Sequence, residues 1–134
     1  MMPERFTSPK TERLKSRKQI DILFAAGKAF SVFPLRVIYQ FSLPADKAGL
    51  QIGVTASKRY FKKAVDRNRI KRLLREAYRL QKAELVAQVK AAHKTGHLFF
   101  VYTDKTIADF ETIRFAMNKC LQRLSKVVQS ENLS

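Results

Sequence analysis

Hydrophobic positions change period along the chain, and each change marks an element. Leu14, Ile20, Leu23 and Phe24 recur at helical spacing and predict a helix over Arg13–Ala26, with Gly27 placed to end it. From Ser31 to Leu43 the period drops to two. Leu35, Val37, Tyr39, Phe41 and Leu43 alternate with Arg36, Ile38, Gln40 and Ser42, the pattern of a strand with unequal faces. Turn residues fill 44–49, and Leu50, Ile52, Val54 and Ala56 resume the alternation as the return strand of a hairpin.

Ile70, Leu73, Leu74, Ala77 and Tyr78 then restore the i, i+3, i+4 spacing of one buried helical stripe. Leu85, Val86, Val89 and Ala92 predict a second or continued helix within Gln81–Lys94, ending at Gly96. The apolar run from Leu98 reads as a central strand, covered on both faces, to Thr103. Asp109 is placed to cap a last helix whose stripe is Phe110, Ile113, Met117, Leu121, Leu124 and Val128. Helix, hairpin, helix, strand, helix predicts a two-layer α+β sandwich over residues 13–128. Residues 1–12 read as a flexible basic arm and 129–134 as a polar tail.

Charge sharpens this picture at one place. Between Ser57 and Arg79 ten basic residues face two acidic ones, Asp66 and Glu76. At about 100° per residue, Asn68, Arg72, Arg75 and Arg79 gather opposite the apolar stripe. Such a helix pins one face to a core and offers guanidinium forks, which match phosphate oxygens, on the other. Lys58, Arg59, Lys62 and Lys63 extend the basic surface into the preceding loop, while Arg69 and Lys71 widen it on the helix. Arg67 projects toward the flank of the stripe, where it either contacts a ligand or braces the loop. The plainer reading is the solvated face of an ordinary amphipathic helix, but such faces usually mix both signs.

The whole chain agrees. It has 27 Lys+Arg against 11 Asp+Glu in 134 residues, a formal charge of +16. With 46% hydrophobic residues it is not a disordered tail, so its self-repulsion points to a polyanionic partner, and nucleic acid fits best. No apolar run approaches the ~20 residues of a membrane span. A lone Cys120 in a periodic helical pattern reads as a buried structural thiol, which suits a reducing cytoplasm. His93 and His97 belong to no set with zinc-ligand spacing. The acidic residues are scattered, without the carboxylate cluster a metal-dependent nuclease needs, so neither catalytic nor metal-ligating residues are expected in the protein. Ile20, Phe24 and Tyr39 fit a core, or a half-open groove between the first helix and the strands that stacks unpaired bases.

The segment Ala64-Val65-Asp66-Arg67-Asn68-Arg69-Ile70-Lys71-Arg72-Leu73-Leu74-Arg75 resembles the signature of the bacterial ribonuclease P protein subunit. Ile52 to Arg59 resembles the strand entering that helix, and Arg13 to Gly27 the family's first helix; Gln81–Lys94 is longer than typical. The resemblance implies the order α-β-β-β-α-β-α, a relation to the second domain of a small-subunit ribosomal protein, and a left-handed crossover. It implies binding to the ribonuclease P RNA, one protein per RNA, to help remove the 5′ leader of precursor tRNA. Mg²⁺ held mainly by the RNA would serve the chemistry. Carried over, Lys58, Arg59, Arg67, Asn68, Arg69, Lys71, Arg72 and Arg75 fall where the family contacts its RNA, with Lys62, Lys63 and Arg79 beside them. Phe24 and Tyr39 fall on aromatic positions of the leader groove, Ile20 replaces a common Phe there, and Arg36, Ile38 and Thr55 line it. The alternative from another class is an RNA-binding or ribosome-associated structural protein without a processing role.

Overall fold

The computed structural model describes residues 13, 14, 16–42 and 49–132. The expected arm (1–12) and the turn at 43–48 lie outside the described residues. Ser16 caps the first helix, α1 (Arg17–Ala26), its hydroxyl accepting from the Gln19 N–H at 3.3 Å. The helix therefore starts later than the periodicity predicts. Arg13 instead bridges Ile52 in parallel, and the Leu14 N–H donates to the Ile52 carbonyl at 2.6 Å. Gly27 ends α1 as expected, its N–H donating to the Leu23 carbonyl at 2.7 Å. A Cβ at Gly27 would stand 2.5 Å from that same oxygen.

Where one strand was expected over Ser31–Leu43 there are two, β1 (Lys28–Val32) and β2 (Leu35–Ser42), paired antiparallel across a turn at Phe33-Pro34. Pro34 lacks the N–H a strand interior requires, so the run breaks there. β3 (Gly49–Ala56) follows, but it is not the hairpin partner of β2. The sheet order is β1-β2-β4-β3, and β4 (Thr95–Tyr102) sits between them, antiparallel to β2 and parallel to β3. The apolar run at Leu98 takes the central place its composition predicts. Gly96, expected to stop a helix, is inside this strand.

Between β3 and β4 the chain crosses over through α2 (Ala64–Gln81) and α3 (Ala83–Ala91), which meet at Lys82. The order thus carries one helix more than the resemblance implies. α4 (Phe110–Asn132) is capped by Asp109, whose carboxylate accepts from the Thr112 N–H at 2.8 Å. The helix runs on into the residues expected as a tail.

Strand alternation separates two cores. Leu35, Val37, Leu50, Ile52, Leu98 and Phe100 face α2, α3 and α4, and meet Ile70, Leu74, Leu85, Ile113, Met117 and Leu124 in the main core. Among the described residues the opposite face is covered by α1 and the segment before it, through a small cluster of Leu14, Leu23 and Ile38 with Ile20, Phe99 and Val101 against it. Cys120 is buried in the main core, and that burial pushes its thiol up to about 12. It is the structural thiol expected.

Candidate nucleic-acid interface

α2 is seated by Ile70, Leu74, Ala77 and Tyr78, all fully buried, with Leu73 packed beside them. Those anchors fix which way the cations point. Asn68, Arg69 and Arg72 are exposed, and Lys71 and Arg75 are half-buried. Within α2 the acid partners are few: Asp66 lies in the first turn, where it suits the positive end of the helix dipole.

Two of the predicted contacts are committed inside the protein. The Arg67 Nη1 donates to the carbonyls of Phe61 at 2.8 Å and Lys62 at 2.9 Å, so it braces the loop before the helix. Arg79 grips the Glu76 carboxylate with two nitrogens, the Nε bond being 3.0 Å. This corrects the expectation that Arg79 belongs with the free cations: three residues apart on one helix, the pair neutralises itself.

Arg13 adds a cation that its place in the sequence does not signal. The bridge to Ile52 lays Arg13 along the open edge of β3, on the side of α2, while Leu14 turns to the other face. Burial first, and then the Arg13 charge, lower the pKa of Arg75. Arginine's ordinary value lies so far above neutrality that the guanidinium keeps its charge at pH 7. Two like charges converge there from segments about sixty residues apart, a proximity that local periodicity does not signal.

The loop from Ser57 is ordered by its own residues. The Ser57 hydroxyl accepts from the Arg59 N–H and its carbonyl from the Phe61 N–H, both at 3.0 Å. Phe61 is buried with its ring 6.0 Å from that of Tyr102, while Lys58, Arg59, Lys62 and Lys63 stay exposed.

The other face of the sheet offers a different surface. Register aligns Arg36, Val101 and Thr55 in one row across β2, β4 and β3, and Ile38, Phe99 and Gly53 in the next. The Phe99 ring lies over Gly53, where a Cβ would come within 2.6 Å of it. Phe24, 51% exposed, meets the Phe99 ring edge-on at 5.2 Å. Phe24, Arg36, Ile38 and Thr55 therefore share this face as expected, and Phe99 joins them. Ile20 is half-buried against the small core and serves packing. His97 lies along the same face of β4, where burial lowers its pKa and keeps it neutral at pH 7.

Tyr39 does not belong to this groove. It has the parity of Val37 and Phe41, packs against the main core, and stacks at 5.8 Å on Phe30 and 6.0 Å on Phe41. The side chains that β2 presents to the groove are Arg36 and Ile38, which flank Val37 and alternate with Tyr39.

Fold and surface together define a small basic domain with a single mixed sheet, a cation-faced crossover helix on one side and an aromatic face on the other. Its residues 8–125 match the model of the Ribonuclease P family. The chain is 41% identical to the ribonuclease P protein component of Porphyromonas gingivalis strain W83 over 131 residues, covering 98% of this chain and 96% of that protein. It is 34% identical to the component from Chlorobaculum tepidum, covering 92% and 88%. Among solved structures, the Staphylococcus aureus RNase P protein superposes with a TM-score of 0.66 at 18% identity, covering 89% of this chain and 99% of that one. The Thermotoga maritima RNase P protein gives 0.65 at 23% identity, covering 84% and 96%. The chain belongs to the ribonuclease P protein family. With that membership goes the family's setting, a ribonucleoprotein of tRNA processing.

Proposed function

We propose that this chain is the protein subunit that clamps the ribonuclease P RNA with α2 and receives the 5′ leader of precursor tRNA on the outer face of the sheet. The observation that carries the reading is the state of α2. Ile70 and Leu74 are fully buried, while Asn68, Arg69 and Arg72 face solvent, with no acid paired to either arginine among the described residues. Arg13 and Arg75 extend that surface. Contacts of this kind go to phosphates and position the protein with little sequence selection. Displacing counterions also lowers the Mg²⁺ the RNA needs to fold and react.

Phosphodiester hydrolysis then belongs to the RNA, one protein serving one RNA. Among the described residues no group of three or more His, Cys, Asp or Glu is arranged to hold a metal ion, which leaves the RNA as the main holder of Mg²⁺ in this reading. The protein's task is to bind and orient. Phe24 and Phe99 supply an edge-on aromatic pair for unpaired bases, and Arg36 at the end of the groove a charge for the leader's backbone. A buried Cys120 suits a cytoplasmic location.

Reconstitution with a bacterial ribonuclease P RNA at low Mg²⁺ tests the assignment. Leader cleavage should rise above that of the RNA alone. No gain, with RNA binding intact, would leave an RNA-binding protein without a processing role.

A further inference from the structure

The loop between β3 and α2 carries two adjacent aromatics with opposite fates. Phe61 is 7% exposed and packs on Tyr102, whereas Tyr60 is 40% exposed. The turn that carries Tyr60 is held from both sides, by Ser57 before it and by the Arg67 Nη1 bonds to the Phe61 and Lys62 carbonyls after it. Tyr60 is therefore presented outward on a fixed loop and is not left over from a failed core.

Two cations from different segments converge on its ring. The Arg59 Cζ lies 6.0 Å from the ring centroid and the Lys105 Nζ 5.7 Å. Both side chains are exposed, and neither has an ion-pair partner among the described residues. The neighbouring acid, Asp104, is turned to its own loop. Its carboxylate accepts from the Lys105 N–H at 2.7 Å, the Thr106 N–H at 3.4 Å and the Thr106 hydroxyl at 3.5 Å. A cation over an exposed ring is by itself worth only about 0.5–1 kcal/mol, and two such cations repel each other. A flat apolar surface flanked by two positive charges is complementary to a nucleobase with a phosphate on either side.

We propose that Tyr60 stacks one unpaired base of the ribonuclease P RNA while Arg59 and Lys105 hold the phosphates flanking it. The inference rests on the function proposed above and adds a second, base-stacking point to a clamp otherwise made of charge. Position selects the RNA over the leader. Phe61 and Tyr102, which seat the loop, belong to the core under α2 and α4, so Tyr60 is on the clamp's side of the sheet and the α1 groove is on the other.

The test uses the full chain with Tyr60→Ala, Tyr60→Leu, Tyr60→Phe and Lys105→Ala, and Arg72→Ala as a parallel control. Binding to the ribonuclease P RNA without substrate is measured across a salt series. Tyr60→Ala and Tyr60→Leu should weaken binding about 5- to 150-fold, the range for loss of one stacked base, without changing the salt slope. Tyr60→Phe should bind as wild type, and Lys105→Ala should make the slope shallower by up to about 0.9. Unchanged affinity in Tyr60→Leu overturns the proposal, as it must if the ring serves a protein partner. A loss confined to precursor over mature tRNA also overturns it, by moving the ring to the substrate. If Arg72→Ala weakens binding and Tyr60→Leu does not, only the stacking site falls. If the wild-type protein does not bind the RNA at all, the clamp falls with it.

Discussion

The two faces of the sheet solve opposite problems. Under α2, α3 and α4 the strands are sealed by a deep core, and the outward side of α2 is left to carry charge. Under α1 the cover is thin: among the described residues the buried cluster there is Leu14, Leu23 and Ile38, and Phe24 remains half in solvent beside Phe99. A long helix with a wide apolar stripe can afford a hydrophilic outer face. A ten-residue helix over one small cluster cannot cover the aromatic surface beneath it. One surface should therefore respond to salt and the other to the loss of a ring.

The largest effect should come from destroying what both surfaces share. Leu74 is fully buried where α2 meets the sheet, and Leu74→Ala should cost about 2–5 kcal/mol of stability by the usual cavity penalty. Urea unfolding measures it. RNA binding and leader recognition should then fail together at the same denaturant concentration. Separate failure would mean that the faces fold independently.

Comparable in free energy but confined to one face, Arg72→Ala with Arg75→Ala removes two charges. With about 1.5–3 kcal/mol for each charge-assisted bond lost, RNA affinity should fall by a factor well above ten. The slope of log affinity against log salt should become shallower by up to about 0.9 per phosphate contact. Preference for precursor over mature tRNA should survive. Phe24→Ala inverts that result. Removal of one stacking partner, about 1–3 kcal/mol, should reduce precursor binding while leaving mature tRNA binding and the salt slope as they were. Equal losses for both tRNAs would indicate damage to the small core instead.

Sequence reasoning was strongest where a pattern is long and one-sided. The α2 and α4 stripes and the Asp109 cap follow from residues within a few positions of one another. Pairing between distant segments is not encoded that way. Nothing in the alternation of Leu50 to Ala56 says whether the neighbour will be β2 or β4, and the apolar continuity of β4 was the only sign that it takes the middle. The turn at Phe33-Pro34 was legible in the proline but hidden by alternation on both sides of it. Tyr39 shows a different limit. Its parity with Val37 and Phe41 favours the core, but an aromatic on a half-covered sheet equally fits a groove, and the carried-over aromatic position pointed the same way. Arg13 beside Arg75 depends on an edge pairing that no local rule anticipates.

The smallest effect separates presence of charge from availability of charge. Arg79 lies on the same side of α2 as Arg72, but its guanidinium is held by Glu76, so the pair presents almost no net charge to a phosphate. Ion pairs three residues apart on one helix contribute a few tenths of a kcal/mol, about 0.2–0.5, and Arg79→Ala should change RNA affinity by no more than about that. Glu76→Gln makes the opposite change at the same place. It removes the one acid from the outward side of the helix, so the local field becomes more positive. RNA affinity should rise and the salt slope steepen by up to about 0.9 if the cation then reaches a phosphate. A titration of both variants across the same salt series decides the matter. If Arg79→Ala weakens binding as much as Arg72→Ala, the clamp extends to the end of α2 and Glu76 orients an arginine already in contact with RNA. If neither variant moves the slope, the contact ends at Arg75, one turn earlier, where the field of Arg13 joins it.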